Sequence, residues 1–326
     1  MSGVRLEVRS RVDSAGFRAL LAAVVCALVS ACAAERGGSW TSVAELDARL
    51  PASIRVFQRA ESDPTLQAWL VAADLAASGW EPRALLARGA PPLETVQVLA
   101  GRAGALVAVN AGYFGASGSL SLVVDEGRVL SPDAADVQRA GHRHHPARAA
   151  FGIRADGRAE CAWVRVVDGS PRAWREPPRD RRNEPAGEPE VGASRAWDVR
   201  TAVGSGPMLV RDGRFVDTWE AEVFFDSGVV GQDERAPRTA VGVTHDRRLL
   251  LLVIDGRSTE SPGATLAETA RMLIEAGATD AINLDGGGST TLVIAGQVVN
   301  HPSDPGGARR VGSALGLVGT SAASGL

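Results

Sequence analysis

The sequence predicts an α+β fold with mixed, largely antiparallel β-sheets, flanking helices and a parallel βαβ unit near the C-terminus. Short apolar segments separated by turn residues indicate β-hairpins, with turns at residues 125–127 and 154–157. Near the C-terminus, two apolar segments are instead joined by a helical pattern. We therefore expect mostly antiparallel strands and one crossover connection.

The antiparallel part of the sheet system is predicted from short runs of apolar residues. A helix is expected over residues 93–102, where apolar residues recur at helical spacing. The expected strands are at residues 66–76, 105–109, 120–124, 128–130, 150–153, 161–167, 202–204, 208–210 and 239–244.

The predicted crossover occupies residues 249–284. Six consecutive apolar residues at 249–254 indicate a strand that is buried on both faces. Thr265 and Glu268 match a capping box, and Gly277 suits the left-handed residue that ends a helix. A second apolar strand follows. Because a strand, a helix and a strand of this length form a right-handed crossover, we expect the two strands to be parallel.

Two carboxylates follow these two strands. Asp255 ends the first strand and Asp285 ends the second, and carboxyl ends of parallel strands lie at one edge of a sheet, where ligands commonly bind. Glycines at 286–288 remove side chains beside Asp285, so that backbone N–H groups can approach a ligand. Arg238 begins a neighbouring strand and is a candidate anion clamp. The alternative is that both aspartates only cap turns.

Composition and charge exclude several function classes. The formal net charge is -3, so no broad basic field indicates nucleic-acid binding. All 35 Lys and Arg residues are Arg, which excludes a Schiff-base lysine and a phosphate-binding P-loop lysine. Any anion site must therefore use arginine.

The N-terminus is typical of a bacterial export signal. Arginines precede a short apolar core at residues 19–29, and the sequence Leu28-Val-Ser-Ala-Cys32 resembles a lipobox. We therefore expect an exported lipoprotein of the cell envelope, anchored in the membrane through a lipid on Cys32. An ordinary cleaved signal is the alternative. Cys161 would remain alone in the mature chain, so no internal disulfide is expected.

Four regions follow from these signals. We expect residues 1–31 to form the signal peptide, residues 32–60 a tether and N-terminal extension, and residues 61–319 the main folded domain. Residues 320–326 form a polar tail. Within the domain, residues 170–196 are rich in Pro, Arg and Glu, and we expect a mobile insertion there.

An ordered set of motifs resembles the phosphodiester glycosidase family. The set covers residues 66–318, and its last glycine-rich motif is the most specific. The motifs are Asn110-Ala-Gly-Tyr-Phe114, Gly204-Ser-Gly-Pro207, Pro237-Arg-Thr-Ala-Val-Gly242, Asp255-Gly-Arg257, Asn283-Leu-Asp-Gly-Gly-Gly-Ser289 and Asn300-His-Pro-Ser-Asp304.

The resemblance implies hydrolysis of a bond between a sugar, similar to N-acetylglucosamine, and a phosphodiester in an envelope or extracellular phosphoglycan. Our hypothesis assigns Asp285 as base or nucleophile, Asp255 as its partner and Arg238 as a phosphate ligand. The further substrate-binding candidates are Asn110, Gly206, Arg257, Asn283, Gly286, Gly287 and Ser289.

The residues leave two other functions open. One is a metal-dependent phosphodiesterase, for which only the His142-Arg-His-His145 cluster suggests ligands. The other is a non-catalytic envelope lipoprotein that binds phosphoglycans. No cofactor or metal is implied, although a divalent cation would suit two Asp and two Asn residues at one edge. Protein partners cannot be inferred.

Overall fold

A computed structural model describes residues 39–62, 64–134 and 136–320. The predicted export signal, the predicted lipidation site at Cys32 and residues 321–326 of the tail lie outside the described residues. Within the described ranges, no helix is long and apolar enough to cross a membrane.

The described residues contain three α-helices, two short 3-10 helices and 26 strands. The helices are α1 (Ala44–Asp47), α2 (Val96–Ala103) and α3 (Leu266–Glu275). The strands are β1 (Thr41–Ser42), β2 (Ile54–Ser62), β3 (Thr65–Asp74), β4 (Trp80–Leu86), β5 (Glu94–Thr95), β6 (Ala105–Asn110), β7 (Phe114–Gly115), β8 (Gly118–Ser119), β9 (Val123–Asp125), β10 (Arg128–Ser131), β11 (Val137–Arg139), β12 (His142–His144), β13 (Arg148–Arg154), β14 (Ala159–Val167), β15 (Ser170–Trp174), β16 (Arg195–Ala196), β17 (Val199–Gly204), β18 (Met208–Arg211), β19 (Arg214–Phe215), β20 (Arg238–Thr244), β21 (Arg248–Ile254), β22 (Ala278–Asn283), β23 (Leu292–Ile294), β24 (Gln297–Val298), β25 (Arg310–Val311) and β26 (Ser313–Gly319).

Three sheets contain most of the strands. An eight-stranded sheet has the order β1-β2-β3-β21-β20-β22-β18-β19. A seven-stranded sheet has the order β10-β9-β17-β13-β14-β15-β16, and a five-stranded sheet the order β24-β23-β6-β26-β4. One hydrophobic cluster draws buried residues from all three sheets, for example Leu251, Phe151 and Leu315. The sheets therefore share a core.

The central strand β21 is apolar at nearly every position because both of its faces are buried. Leu249, Leu251 and Val253 belong to the core shared by the three sheets. Leu250 and Leu252 point to the opposite face, where they pack in a second cluster with residues of α3. Because side chains alternate between the two faces of a strand, a strand covered on both faces needs apolar residues at every position.

The predicted fold class is wrong. The protein is a β-rich fold with 45% strand and 10% helix, and the predicted parallel βαβ unit is absent from the described residues. Strand β20 lies between β21 and β22 and pairs antiparallel with each of them. The reason is that β20 and β21 form a hairpin across a short turn, and α3 then carries the chain past β20 to its other side.

The edge inferred from the crossover is nevertheless present. Since β20 runs antiparallel to both neighbours, β21 and β22 run in the same direction and their carboxyl ends lie at one edge of the sheet. The local signals for α3 are also observed. Thr265 and Glu268 form a reciprocal capping box, and Gly277 has a φ of 92°.

The segment 170–196 is more ordered than its composition predicts. Strand β15 pairs with β14 along its length, and β16 pairs with β15. Between them, the buried carboxylate of Asp180 lies 2.9 Å from Nδ1 of His144, itself buried. Residues 54–60, assigned to an extension, belong to β2, which pairs with β3. Strand pairing therefore orders both segments, and in residues 170–196 the buried contact between Asp180 and His144 adds to it.

Candidate functional site

The candidate residues gather where strands of two sheets end. Asn110 is the last residue of β6, and Asp255 directly follows β21. Asp285 lies two residues after β22, and Arg238 is the first residue of β20, opposite Ile254. The antiparallel course of β20 therefore places an arginine at the same edge as the two aspartates.

Asn110 connects this edge across the two sheets. Its Nδ2 donates to the backbone carbonyl of Asp285 at 2.5 Å, and its Oδ1 accepts from Thr239 Oγ1 at 2.8 Å and from the N–H of Thr291 at 3.1 Å. Asn110 is completely buried. Through its hydrogen bond to the Asp285 carbonyl, the buried Asn110 positions the backbone of Asp285.

Asp285 is a half-buried carboxylate on a fixed backbone. Its N–H donates to the carbonyl of Ala111 at 2.8 Å. Burial raises the pKa of Asp285 from 3.8 to about 6, against the opposing effects of the Ser289 hydroxyl, the positive charge of Arg309 and the N–H of Gly286. A carboxyl group with this pKa exchanges protons near neutral pH, as acid–base catalysis requires.

Asp255 is more deeply buried, with 4% of its surface exposed. Its Oδ1 accepts from Asn300 Nδ2 and from the N–H of His301, each at 3.0 Å. Burial raises the pKa of Asp255, and these two hydrogen bonds oppose the rise. Asn300 in turn accepts from the N–H of Leu292 at 2.8 Å, so β23 orients the Asp255 carboxylate through this side chain.

Tyr113 belongs to the site although no role was assigned to it from the sequence. Its hydroxyl donates to the carbonyl of Gly206 at 2.7 Å, and Asn283 Nδ2 donates to the hydroxyl at 3.2 Å. Burial raises the pKa of Tyr113, and the negative charge of Asp285 acts in the same direction. Tyr113 is the only tyrosine in the chain and lies within the Asn110–Phe114 motif, which was the available signal.

Arg238 is buried and holds neighbouring loops together. Its Nε donates to the carbonyl of Ala264 at 2.8 Å, and its Nη2 donates to the carbonyls of Gly231 at 3.3 Å and Glu234 at 2.5 Å. A phosphate contact from Arg238 would therefore have to come from Nη1. Arg238 therefore connects the loop at residues 231–234 to residue 264, a structural role that its position in the sequence did not indicate.

The three glycines after Asp285 allow backbone and side-chain atoms of other segments to pack closely against residues 286–288. A Cβ atom on Gly286 would lie 2.7 Å from the carbonyl oxygen of Pro237, and one on Gly287 would lie 3.1 Å from Nη2 of Arg257. A Cβ atom on Gly288 would overlap Asp304 and Arg309. The N–H of Gly287 also donates to Pro237 at 2.9 Å. These glycines bring two guanidinium groups close to Asp285, whereas the sequence suggested an approach of phosphate to the backbone.

Gly206 is required for a similar reason. It has a φ of 98°, and a Cβ atom there would overlap the carboxylate of Glu222. Glu222 is completely buried and accepts from the N–H groups of Ala149 and Met208, each at 2.8 Å. It also accepts from Trp163 Nε1 and Thr218 Oγ1. No sequence motif marked Glu222.

Several buried polar atoms at this edge have no hydrogen-bond partner within the described part of the chain. They include Asn283 Oδ1, Thr290 Oγ1 and Asp255 Oδ2, from which His301 Nδ1 lies 3.5 Å away. Nearly all buried polar atoms in proteins have a partner, so these atoms are available to a ligand or to water.

The histidine cluster does not converge on one point. His144 faces Asp180, His145 Nδ1 lies 2.6 Å from Asp136, and His142 is exposed. Among the described residues, no group of three or more His, Cys, Asp or Glu side chains is arranged to hold a metal ion.

The buried Cys161 is not suited to act as a nucleophile. Burial raises the pKa of Cys161, which disfavours the thiolate form needed for nucleophilic attack.

Comparisons with known proteins agree with these motifs. The model of the phosphodiester glycosidase family matches residues 103–318. The N-acetylglucosamine-1-phosphodiester alpha-N-acetylglucosaminidase of Mus musculus is 30% identical over 217 residues, which are 64% of this chain and 36% of the relative. The Bos taurus protein of the same name is 51% identical over 69 residues, which are 21% of this chain and 12% of that protein.

A solved structure has a similar fold. The catalytic domain of the zebrafish N-acetylglucosamine-1-phosphodiester alpha-N-acetylglucosaminidase, auto-inhibited by its pro-peptide, has a TM-score of 0.57 at 21% identity, covering 88% of this chain and 85% of that domain. The chain spans about a third of the length of the mouse relative. The family model matches residues 103–318, which are more than half of this chain, and the chain therefore belongs to the phosphodiester glycosidase family.

Proposed function

We propose that this protein hydrolyses the glycosidic bond between a sugar, similar to N-acetylglucosamine, and a phosphodiester. The observation that supports this activity best is the half-buried Asp285, whose pKa is raised to about 6, close to the guanidinium groups at Gly287 and Gly288. A carboxylate next to cations suits a substrate that carries its negative charge on the leaving group.

The proposed chemistry assigns different tasks to the two aspartates. A phosphodiester is a good leaving group, so the reaction needs little general-acid assistance compared with cleavage of an alkyl glycoside. Asp285 either removes a proton from the attacking water or attacks the anomeric carbon itself. Water then supplies the new oxygen at that carbon, and the phosphodiester leaves as the anion of a phosphate monoester. Asp255 acts as the partner carboxylate, and its orientation by Asn300 and His301 supports this role.

The remaining candidates bind substrate in this proposal. Arg257, exposed beside Gly287, contacts the phosphate. Asn283, whose Oδ1 is unpartnered within the described residues, accepts from a sugar hydroxyl, and Ser289 adjusts the Asp285 carboxylate. Gly206 and Gly286 shape the wall of the site.

The proposed location is the bacterial cell envelope. The apolar segment and lipobox-like sequence before Cys32 support export and a lipid anchor, which would confine the enzyme to phosphoglycans near the membrane. Mass spectrometry of the N-terminal peptide isolated from producing cells checks this. A diacylglycerol-modified Cys32 is the expected result, and an unmodified residue after an ordinary cleavage site would contradict it.

The activity is tested with the purified protein and a methyl phosphodiester of N-acetylglucosamine-1-phosphate. We expect release of free sugar, roughly 100-fold slower or more with Asp285→Asn, which removes the charge and keeps the shape. The matched control is Asp246→Asn, since Asp246 is exposed in the turn between β20 and β21, away from the site. The rate of this control is expected to equal that of the wild type.

The products distinguish the other functions. Release of sugar phosphate in place of free sugar, abolished by EDTA, would establish a metal-dependent phosphodiesterase. A protein that binds the phosphodiester without releasing either product would be a phosphoglycan-binding protein. Either result would overturn the proposed glycosidase.

A further inference from the structure

We propose that Arg309 binds the phosphate of the substrate and makes the site selective for an anionic leaving group, with Asp304 holding its guanidinium in position. This inference rests on the glycosidase activity proposed above. It assigns the main phosphate contact to a residue near the C-terminus, outside all the motifs that indicated the family.

The ion pair between Arg309 and Asp304 has a two-point geometry. Nε lies 2.7 Å from Oδ2, and Nη2 lies 2.9 Å from Oδ1. Paired N–H···O bonds of this kind fix the plane of a guanidinium. Arg309 is 41% exposed at its side chain, so the fixed group still faces solvent. Its Nη1 makes no hydrogen bond to the described residues and is available to a ligand.

Gly288 sets the position of this pair. Asp304 and Arg309 occupy the space that a side chain at residue 288 would need. Gly288 is three residues after Asp285, so the guanidinium of Arg309 lies near the Asp285 carboxylate. The positive charge of Arg309 opposes the rise in the pKa of Asp285, and the negative charge of Asp285 raises the pKa of Arg309. An anion bound by Arg309 would therefore lie beside the reactive carboxylate.

Arg257 supplies a second cation at the neighbouring glycine. Its Nη2 lies 3.1 Å from the Cβ position of Gly287. Arg257 is exposed and forms no ion pair with any described residue. Arg257 and Arg309 therefore lie beside two consecutive glycines, and a guanidinium group is suited to the non-bridging oxygens of a phosphodiester. By contrast, the nitrogens Nε and Nη2 of Arg238 are occupied by backbone carbonyls.

Two substrates with the same sugar test the inference. One is the methyl phosphodiester of N-acetylglucosamine-1-phosphate, and the other is a neutral 4-nitrophenyl glycoside. For Arg309→Ala we expect kcat/KM for the phosphodiester to fall about tenfold or more, mainly through KM, because a charge-assisted hydrogen bond is lost. Both substrates are measured at about pH 8, where Asp285 stays ionised even without the opposing charge of Arg309, and there the neutral glycoside should change by less than about twofold. Arg309→Lys should restore part of the loss, since it keeps the charge and loses the two-point geometry.

The control and a binding measurement complete the test. Arg158→Ala removes an exposed arginine that is also paired with an aspartate, Asp156, in the turn between β13 and β14, and it should change neither substrate's kinetics. In calorimetry, Arg309→Ala should weaken the binding of inorganic phosphate about fivefold or more. Equal losses on both substrates, or unchanged phosphate binding, would overturn the inference. A wild-type protein that cleaves neither substrate would contradict the proposed activity, while phosphate binding would still decide the role of Arg309.

Discussion

The side-chain amide of Asn110 donates a hydrogen bond to the backbone carbonyl of Asp285 across 175 residues of sequence. Through this contact, the five-stranded sheet positions the carboxylate that follows a strand of the eight-stranded sheet. The same side chain accepts from Thr239 and Thr291, so three separate segments meet at one buried amide. The geometry of the site therefore depends on the packing of two sheets against each other.

Replacing Asn110 should reduce the stability of the fold. Asn110→Ala leaves two buried donors and one partly buried carbonyl unpaired, and we expect a loss of roughly 3 kcal/mol in the free energy of unfolding. Urea denaturation measures this loss, with Asn183→Ala as the control because Asn183 is exposed. An Asn110→Ala protein as stable as this control would show that the three hydrogen bonds contribute little.

Activity should depend on pH through Asp285. Since burial raises its pKa to about 6, the carboxylate needed as base or nucleophile is lost as the pH falls below about 6. We expect kcat/KM, measured from about pH 4 to about pH 8, to decline on its acidic side with an apparent pKa near 6. A decline near about pH 4 would instead indicate a carboxyl group with an ordinary pKa.

The same pKa shift predicts a change of stability with pH. Folded Asp285 binds its proton more tightly than the unfolded chain, so its contribution to stability is complete below about pH 4 and is lost as the pH rises through about 6. Asp285→Asn should therefore gain stability relative to the wild type between about pH 4 and about pH 7. For Asp246→Asn the difference from the wild type should stay constant over this range and change only below about pH 4, because hydrogen bonding lowers the pKa of exposed Asp246. Thermal unfolding at several pH values would reveal whether the two variants diverge in this way.

Gly288→Ala should reduce activity more than stability. The new methyl group would displace the flexible ends of Asp304 and Arg309, which can move at little cost to folding. We expect kcat/KM for the phosphodiester to fall about tenfold or more, with a change of less than about 1 kcal/mol in the free energy of unfolding. Gly101→Ala in α2, where a Cβ atom has no neighbour within 4 Å, is the matched control. Full activity in Gly288→Ala would argue against a role for this ion pair.

Glu222→Gln should destabilise the fold. The Glu222 carboxylate accepts from Ala149, Met208, Trp163 and Thr218, and a glutamine would turn a donor toward donors. We expect a loss of about 2–4 kcal/mol in the free energy of unfolding. The matched control is Glu220→Gln at a position two residues earlier that is not buried. Chemical denaturation of both variants checks the difference, and equal stabilities would show that an amide is tolerated in this pocket.

The sequence by itself determined the local elements and placed each of two aspartates after an apolar strand. The hairpins, the capping box at Thr265 and the left-handed Gly277 depend on residues that are close in the chain, and the structure confirms them. Asp255 and Asp285 were located in the same way, because each follows an apolar strand. Local propensity and periodicity are sufficient for such predictions.

Tertiary structure decided which strands are neighbours and which side chains reach the site. The insertion of β20 between β21 and β22 depends on a choice of pairing partners that periodicity does not encode. Periodicity also does not encode the burial of Arg238 against backbone carbonyls, the four hydrogen bonds to Glu222 or the position of Arg309 beside Gly288. Each is a contact between separate segments of the chain, and its free energy depends on burial and geometry that exist only after the sheets have packed.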